Sequence, residues 1–132
     1  MPGECSWDYE IGFNSFSHLT RMGKALAQSE SYKLIVNVPG GIFEIGVYKG
    51  ASLIRLATYR RILENDYSRK FIGFDMFGRL SHSTSNTAAD NEFIESFENA
   101  GGSGIKQSKL KAILERKNSQ TFSSLKAIFL TF

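Results

Sequence analysis

A four-residue apolar run, Ile42-Phe-Glu-Ile45, leads into Gly46 and Gly50, then a helical stretch over Ala51–Asn65, then a second apolar run, Lys70-Phe-Ile-Gly-Phe74. Two short buried strands separated by one helix of this length match a parallel crossover. A parallel pair must be covered by its crossover helix, so the spacing predicts an α/β sheet. The helix sets Leu53, Leu56, Ala57 and Leu63 on roughly one side. Arg60 and Arg61 fall near its C-terminal end, where the helix dipole favours positive charge.

The flanking segments read in the same way. Phe16–Glu30 is predicted as an amphipathic helix, with Leu19, Met22 and Leu26 at i, i+3, i+7 spacing and Ser17 as its N-cap. Leu34-Ile-Val-Asn-Val38 is an apolar run stopped by Pro39-Gly40-Gly41. Gly78–Ala88, rich in Ser, Thr and Asn, reads as a surface loop, and Ala89–Ala100 as a helix with Phe93, Ile94 and Phe97 inward. Ala100-Gly-Gly-Ser-Gly104 breaks that helix. Ser108–Lys117 is a further helix with Leu110, Ile113 and Leu114 as its stripe, and Leu125–Phe132 is apolar enough for a third strand.

Composition narrows the function classes. A length of 132 residues suits one domain with a real core, and 42% hydrophobic against 22% charged residues argues against wholesale disorder. No apolar run approaches the ~18 residues of a membrane span. Glu4, Asp8 and Glu10 leave the N-terminus without a signal pattern, so a cytoplasmic protein is expected. Cys5 alone makes no internal disulfide, and with His18 and His82 it cannot build a structural zinc cluster. Basic residues concentrate late in the chain: Lys106, Lys109, Lys111, Arg116, Lys117 and Lys126 face Glu115 alone beyond residue 100. Such charge attracts nucleic acid. No aromatic residue interleaves with those lysines before Phe122, so there is no stacking platform, and the pattern reads as the solvated face of a helix.

The informative stretch is Phe43 to Ser52, where a strand ends, the chain turns over two glycines and a helix begins. Glycine there lets the backbone turn sharply and a ligand approach. Helix N-terminal amides favour a negative group on that ligand. Asp75, at the end of the next strand, is placed to accept hydrogen bonds from both hydroxyls of a ribose. Together these predict a nucleoside-cofactor site at the carboxyl edge of the sheet. The loop reads E-x-G-x-x-x-G, which fits neither the dinucleotide fingerprint nor the phosphate loop. Glu44 would repel a pyrophosphate, and it suits a ligand carrying an ammonium and a sulfonium, as S-adenosylmethionine does.

Pro39-Gly-Gly-Ile-Phe-Glu-Ile-Gly-Val-Tyr-Lys-Gly-Ala-Ser-Leu53 and Arg69-Lys-Phe-Ile-Gly-Phe-Asp-Met-Phe-Gly78 resemble the macrocin O-methyltransferase family. These are class I S-adenosylmethionine-dependent enzymes, many of which modify sugars of secondary metabolites. The resemblance runs from about Tyr9 to about Lys117. It implies a Rossmann-like methyltransferase fold, here truncated after about the third strand, with a helical segment over 1–38 and a partial S-adenosylmethionine-binding domain over 39–132. It implies that Glu44, Gly46 and Gly50 form the donor-binding first motif and that Ser52 helps hold the methionine carboxylate. By the same resemblance Asp75 binds the ribose hydroxyls, Met76 and Phe77 lie near the adenine, and Tyr48 and Lys49 line the methionine end.

The resemblance further implies a small-molecule hydroxyl acceptor and a divalent metal such as magnesium. The family takes its metal ligands from an acidic L-D-x-D-x-Y-type segment on a fourth strand. This sequence has none, and its last acidic residue is Glu115. The expectation is therefore the donor-binding half of a methyltransferase. Methyl transfer needs the acceptor oxygen held against the sulfonium methyl, usually with a base or metal at the hydroxyl. His82 in a Ser/Thr loop, His18 in the first helix and Cys5 near the terminus read as incidental, and no catalytic residue is named. An unpaired last strand exposes a sheet edge. Two other readings stay open: a non-catalytic interaction or regulatory module, including a homo-oligomer, and another nucleoside-cofactor-binding α/β protein.

Overall fold

Three parallel strands form the centre of the molecule. The computed structural model describes residues 6–80, 87–118 and 127–130. Element order is α1 (Ser6–Phe16), α2 (Leu19–Ile35), β1 (Ile42–Ile45), α3 (Ala51–Leu63), β2 (Phe71–Phe74), α4 (Ala88–Gly101), α5 (Gln107–Asn118) and β3 (Ala127–Leu130). The sheet runs β1-β2-β3, with Ile42 opposite Phe71 and Ile45 opposite Phe74, then Phe71 opposite Ala127 and Phe74 opposite Leu130. The third strand expected over Leu125–Phe132 thus forms over its middle four residues.

Each crossover steps one strand in the same direction, and right-handed connections then place α3 and α5 on one face. Burial follows that rule. On the covered face Ile42 and Glu44 are half-buried and Phe71 is fully buried, whereas Phe43 and Ile45 on the opposite face are 64% and 82% exposed. Phe43 stacks on Phe74 across that bare face at 6.4 Å. The core gathers Tyr32, Val47, Leu53, Ala57, Phe71, Leu110 and Leu114, so α2 and α5 share one interior with the sheet.

Several sequence expectations shift. The helix expected over Phe16–Glu30 forms instead as α2, starting at Leu19 because the chain turns extended at His18 (φ −62°, ψ 144°), and α1 before it was not expected. His18, and not Ser17, is the N-cap of α2: its Nδ1 accepts from the Thr20 amide at 3.3 Å. The Leu19, Met22 and Leu26 stripe points outward. The face of α2 that packs on α3 is instead organised by polar contacts, since Tyr59 Oη donates to Ala25 O at 2.7 Å and Arg55 donates to Gln28 Oε1 at 2.7 Å. Leu34 and Ile35 belong to the last turn of α2. In α4 only Ile94 of the three expected inward residues is buried, and Phe93 is 65% exposed. A Thr87–Asp90 capping box starts that helix.

Arg60 stands in the last turn of α3, as expected, and is wholly buried there. Its guanidinium lies 4.9 Å from the Phe71 ring centroid and donates to Arg69 O at 2.8 Å. Arg69 is buried beside it, donating to both oxygens of Glu64 (2.7 and 2.6 Å) and to Ile35 O at 2.8 Å. Tyr32 Oη donates to the same carboxylate at 2.5 Å. The Arg69 hydrogen bonds hold the Glu64 carboxyl below its usual range, and burial pushes the Tyr32 phenol up. This cluster ties α2, α3 and the strand entry of β2 together through the bidentate Arg69–Glu64 pair and the Tyr32 hydroxyl, while Arg60 Nε and Nη2 are buried without a hydrogen bond among the described residues.

Candidate functional site

The carboxyl ends of β1 and β2 open onto three loops: 46–50, 75–80 and 102–106. The first begins at Gly46, whose amide donates to Phe74 O at 2.9 Å, and ends at Gly50, the N-cap of α3. Gly50 has φ +80°, and a Cβ there would stand 2.8 Å from Leu110 Cδ1. Two constraints therefore select glycine: a left-handed backbone and close packing of α5.

Tyr48 and Phe77 have φ +51° and +53°, and among the described residues they are the two non-glycine positions with positive φ. For bulky side chains that conformation stores on the order of 1–3 kcal/mol each. One group holds both. Asp75 Oδ2 accepts from the Tyr48 amide at 2.8 Å, and Asp75 Oδ1 accepts from the Phe77 amide at 2.9 Å. A carboxylate has about four acceptor positions, so each oxygen keeps one for a further donor.

The third loop completes the edge. The Ile105 amide donates to Tyr48 O at 2.7 Å and the Gly104 amide to Gly78 O at 2.9 Å. A Cβ on Gly104 would stand 2.9 Å from Gly78 O, so this close crossing also requires glycine. Tyr48 Oη donates to Gly101 O at 2.7 Å, and its ring tilts against Phe97 at 5.3 Å. Glu98 Oε1 accepts from the Leu80 amide at 2.9 Å. The helix α4 thus roofs a cavity of about 200 Å³ between Gly46, Asp75, Phe93 and Phe97. Sequence reasoning took 100–104 as a helix breaker and missed this roof. The cluster of three glycines in five residues was the available sign that another backbone passes close by.

Glu44 sits one strand residue before the edge. Its Oε2 is buried and accepts no hydrogen bond. Burial pushes the carboxyl up to about 7; Lys24 pulls it back and Asp75 adds to the rise. A buried, unmatched carboxylate beside a second one is a site for a positive group.

The remaining expected residues are dispersed around this edge. Ser52 Oγ accepts from Gln28 Nε2 at 3.2 Å, which ties it to α2. Met76 is exposed at the rim, and Phe77 packs against the core. Lys49 lines a different cleft, with Lys106 and Lys109. Cys5 and His82 lie outside the described residues. Among the described residues no trio of His, Cys, Asp or Glu stands close enough to hold a metal, and the side chains present do not fit a divalent ion. Among them also, no helix is long and apolar enough to cross a membrane.

Comparison with solved structures identifies the fold. An apo structure of CalS11, a TDP-rhamnose 3'-O-methyltransferase of calicheamicin biosynthesis, is 19% identical with TM-score 0.59, covering 100% of this chain and 49% of that one. A second CalS11 structure gives TM-score 0.69 at 19% identity, covering 100% of this chain and 52% of that one. The O-methyltransferase NovP gives TM-score 0.60 at 18% identity, covering 82% and 44%. The chain therefore has a methyltransferase fold and spans about half the length of these proteins. No family model and no curated protein matches the sequence.

Proposed function

We propose that this chain is the donor-binding part of an S-adenosylmethionine-dependent O-methyltransferase of the macrocin type, acting on a hydroxyl of a sugar or similar small molecule. The observation that carries the reading is Asp75: its carboxylate holds two strained backbones at the point where the loops after β1 and β2 meet. In open α/β sheets that edge is where ligands bind. Backbone strain maintained there is accounted for by a site that must be preformed.

The residues fit the donor by charge. The bound donor supplies a methyl group on a sulfonium, to be displaced in line by the acceptor oxygen. Glu44, with its unmatched buried oxygen, suits the cationic methionine end by charge, and the free acceptor positions of Asp75 suit the ribose hydroxyls. Gly46 and Gly50 shape the turn, Tyr48 and Ser52 border the methionine end, and Met76 and Phe77 border the adenine; Lys49, which lines the neighbouring cleft, is left out of this assignment. CalS11 acts on a sugar hydroxyl, and we extend that acceptor class to this chain.

Calorimetric titration with S-adenosylhomocysteine tests the reading, with Asp75→Asn and Glu44→Gln as controls. Binding by the parent chain, weakened about tenfold or more by either substitution, is expected. A chain with a cooperative unfolding transition that binds neither S-adenosylhomocysteine nor S-adenosylmethionine refutes it. A second reading, an interaction module that keeps the fold, is favoured by the bare apolar face at Phe43 and Ile45. Methyl transfer to any hydroxyl acceptor by this chain alone would exclude that reading.

A further inference from the structure

Beside the roofed cavity lies a larger cleft of about 570 Å³, lined by Lys49, Lys106 and Lys109 together with Ser103, Ile105 and Ile113. We propose that it is a binding site for a small phosphorylated molecule, independent of what the cavity at Asp75 binds. Lysines from two distant parts of the chain meet here. Lys49 enters from the loop after β1, its Nζ 5.4 Å from the centroid of the Tyr48 ring and 3.8 Å from where a Cβ on Gly102 would stand. Lys106 and Lys109 enter from the start of α5, whose first turn carries no acidic residue.

Among the described residues none of the three has a carboxylate partner, and no acidic side chain lines the cleft. Other late lysines are engaged elsewhere: Lys111 stands 3.9 Å from Glu115, and Lys117 Nζ donates to Thr58 Oγ1 at 2.8 Å. A multiply charged anion in the cleft would be attracted by all three ammonium groups at once. A point charge on a flexible stem suits phosphate oxygens, which need no planar recognition.

The rest of the wall selects the size of the ligand. Ile105 and Ile113 offer an apolar surface to an organic body, and Ser103 adds a hydroxyl. Among the described residues no aromatic ring lines the cleft, so they offer none of the stacking that holds single-stranded nucleic acid. A nucleoside diphosphate or sugar phosphate has the required combination of an anionic head and a compact body.

The test is calorimetric titration of the full chain with inorganic pyrophosphate and with uridine diphosphate, at low salt and at about 0.3 M salt. Both ligands are expected to bind, with affinity falling on added salt. In the Lys106→Gln/Lys109→Gln variant affinity should drop about tenfold or more, while the thermal midpoint stays at the parent value. Tighter binding of uridine diphosphate than of pyrophosphate would show that the apolar wall contributes, and equal binding would assign recognition to the phosphates alone. Absence of pyrophosphate and uridine diphosphate binding by a cooperatively folding chain overturns the proposal. So does unchanged affinity in the double variant. Preference for a single-stranded oligonucleotide over both small ligands would also overturn it, in favour of nucleic acid.

Discussion

Replacing Glu44 by Gln should change the pH dependence of stability in a defined direction. The carboxyl rises from a model-peptide value of 4.5 to about 7 in the folded chain, chiefly through burial. The folded state therefore binds this proton more tightly than the unfolded state. Its contribution is fully present below about pH 4.5, and it is lost as pH rises through about 7. The full shift corresponds to about 3 kcal/mol at 1.36 kcal/mol per unit, and water reaching the half-buried side chain reduces that to about 1.5 kcal/mol. Lys24 and Asp75 are the charges that act on it, in opposite senses. Urea unfolding at about pH 5 and pH 8 reads the effect. The parent should lose about 1.5 kcal/mol more than Glu44→Gln between the two. Parallel pH profiles would refute the argument, because they would mean that the buried oxygen is solvated or paired. A ligand that brings a positive group to Glu44 should reverse the shift and release a proton on binding near pH 7, detectable as a dependence of the calorimetric heat on buffer ionisation.

Gly50→Ala should destabilise more than Gly46→Ala in thermal unfolding: both positions have φ +80°, yet only the Cβ at 50 meets Leu110, so about 1 kcal/mol at 46 becomes about 2–4 kcal/mol at 50. Equal losses would show that α5 yields at no cost. Arg69→Met leaves the Glu64 carboxylate buried without its bidentate partner and should cost about 3–5 kcal/mol at neutral pH. A loss under about 1 kcal/mol in urea unfolding would contradict the clamp. Asp75→Asn retains one carbonyl acceptor for two amides, so hydrogen exchange at Tyr48 or Phe77 should accelerate about tenfold or more, an effect of about 1–3 kcal/mol. Unchanged protection at both amides would argue against the carboxylate as the tie.

Much of the scaffold is local, and for that reason legible in the chain. The crossover from Ile42 to Phe74 follows from two apolar runs, one helix-length interval and a glycine turn, each a matter of residues within a few positions of one another. The place of Asp75 at the end of β2 follows from the same counting. Expectation failed where burial depends on distant segments. An arginine near a helix end carries the same local pattern whether water or Phe71 lies beyond it, so the interior position of Arg60 could not be read from sequence. The outward apolar stripe of α2 is the same case, because periodicity locates a face without saying what covers it.

The site divides along the same line. The sequence by itself determined which residues stand at the edge: Glu44, Gly46, Tyr48, Gly50 and Asp75 occupy strand ends and a turn that the apolar runs and the two glycines dictate. Only the tertiary structure decided what each does there. The loop after β1 brings the Tyr48 amide to Asp75, and the crossing of 102–106 over Tyr48 and Gly78 roofs the cavity with α4 and carries Lys106 and Lys109 to meet Lys49. Those loops are distant in sequence, and charge, strain and solvation at a point depend on every group within a few ångströms, whichever part of the chain supplies it.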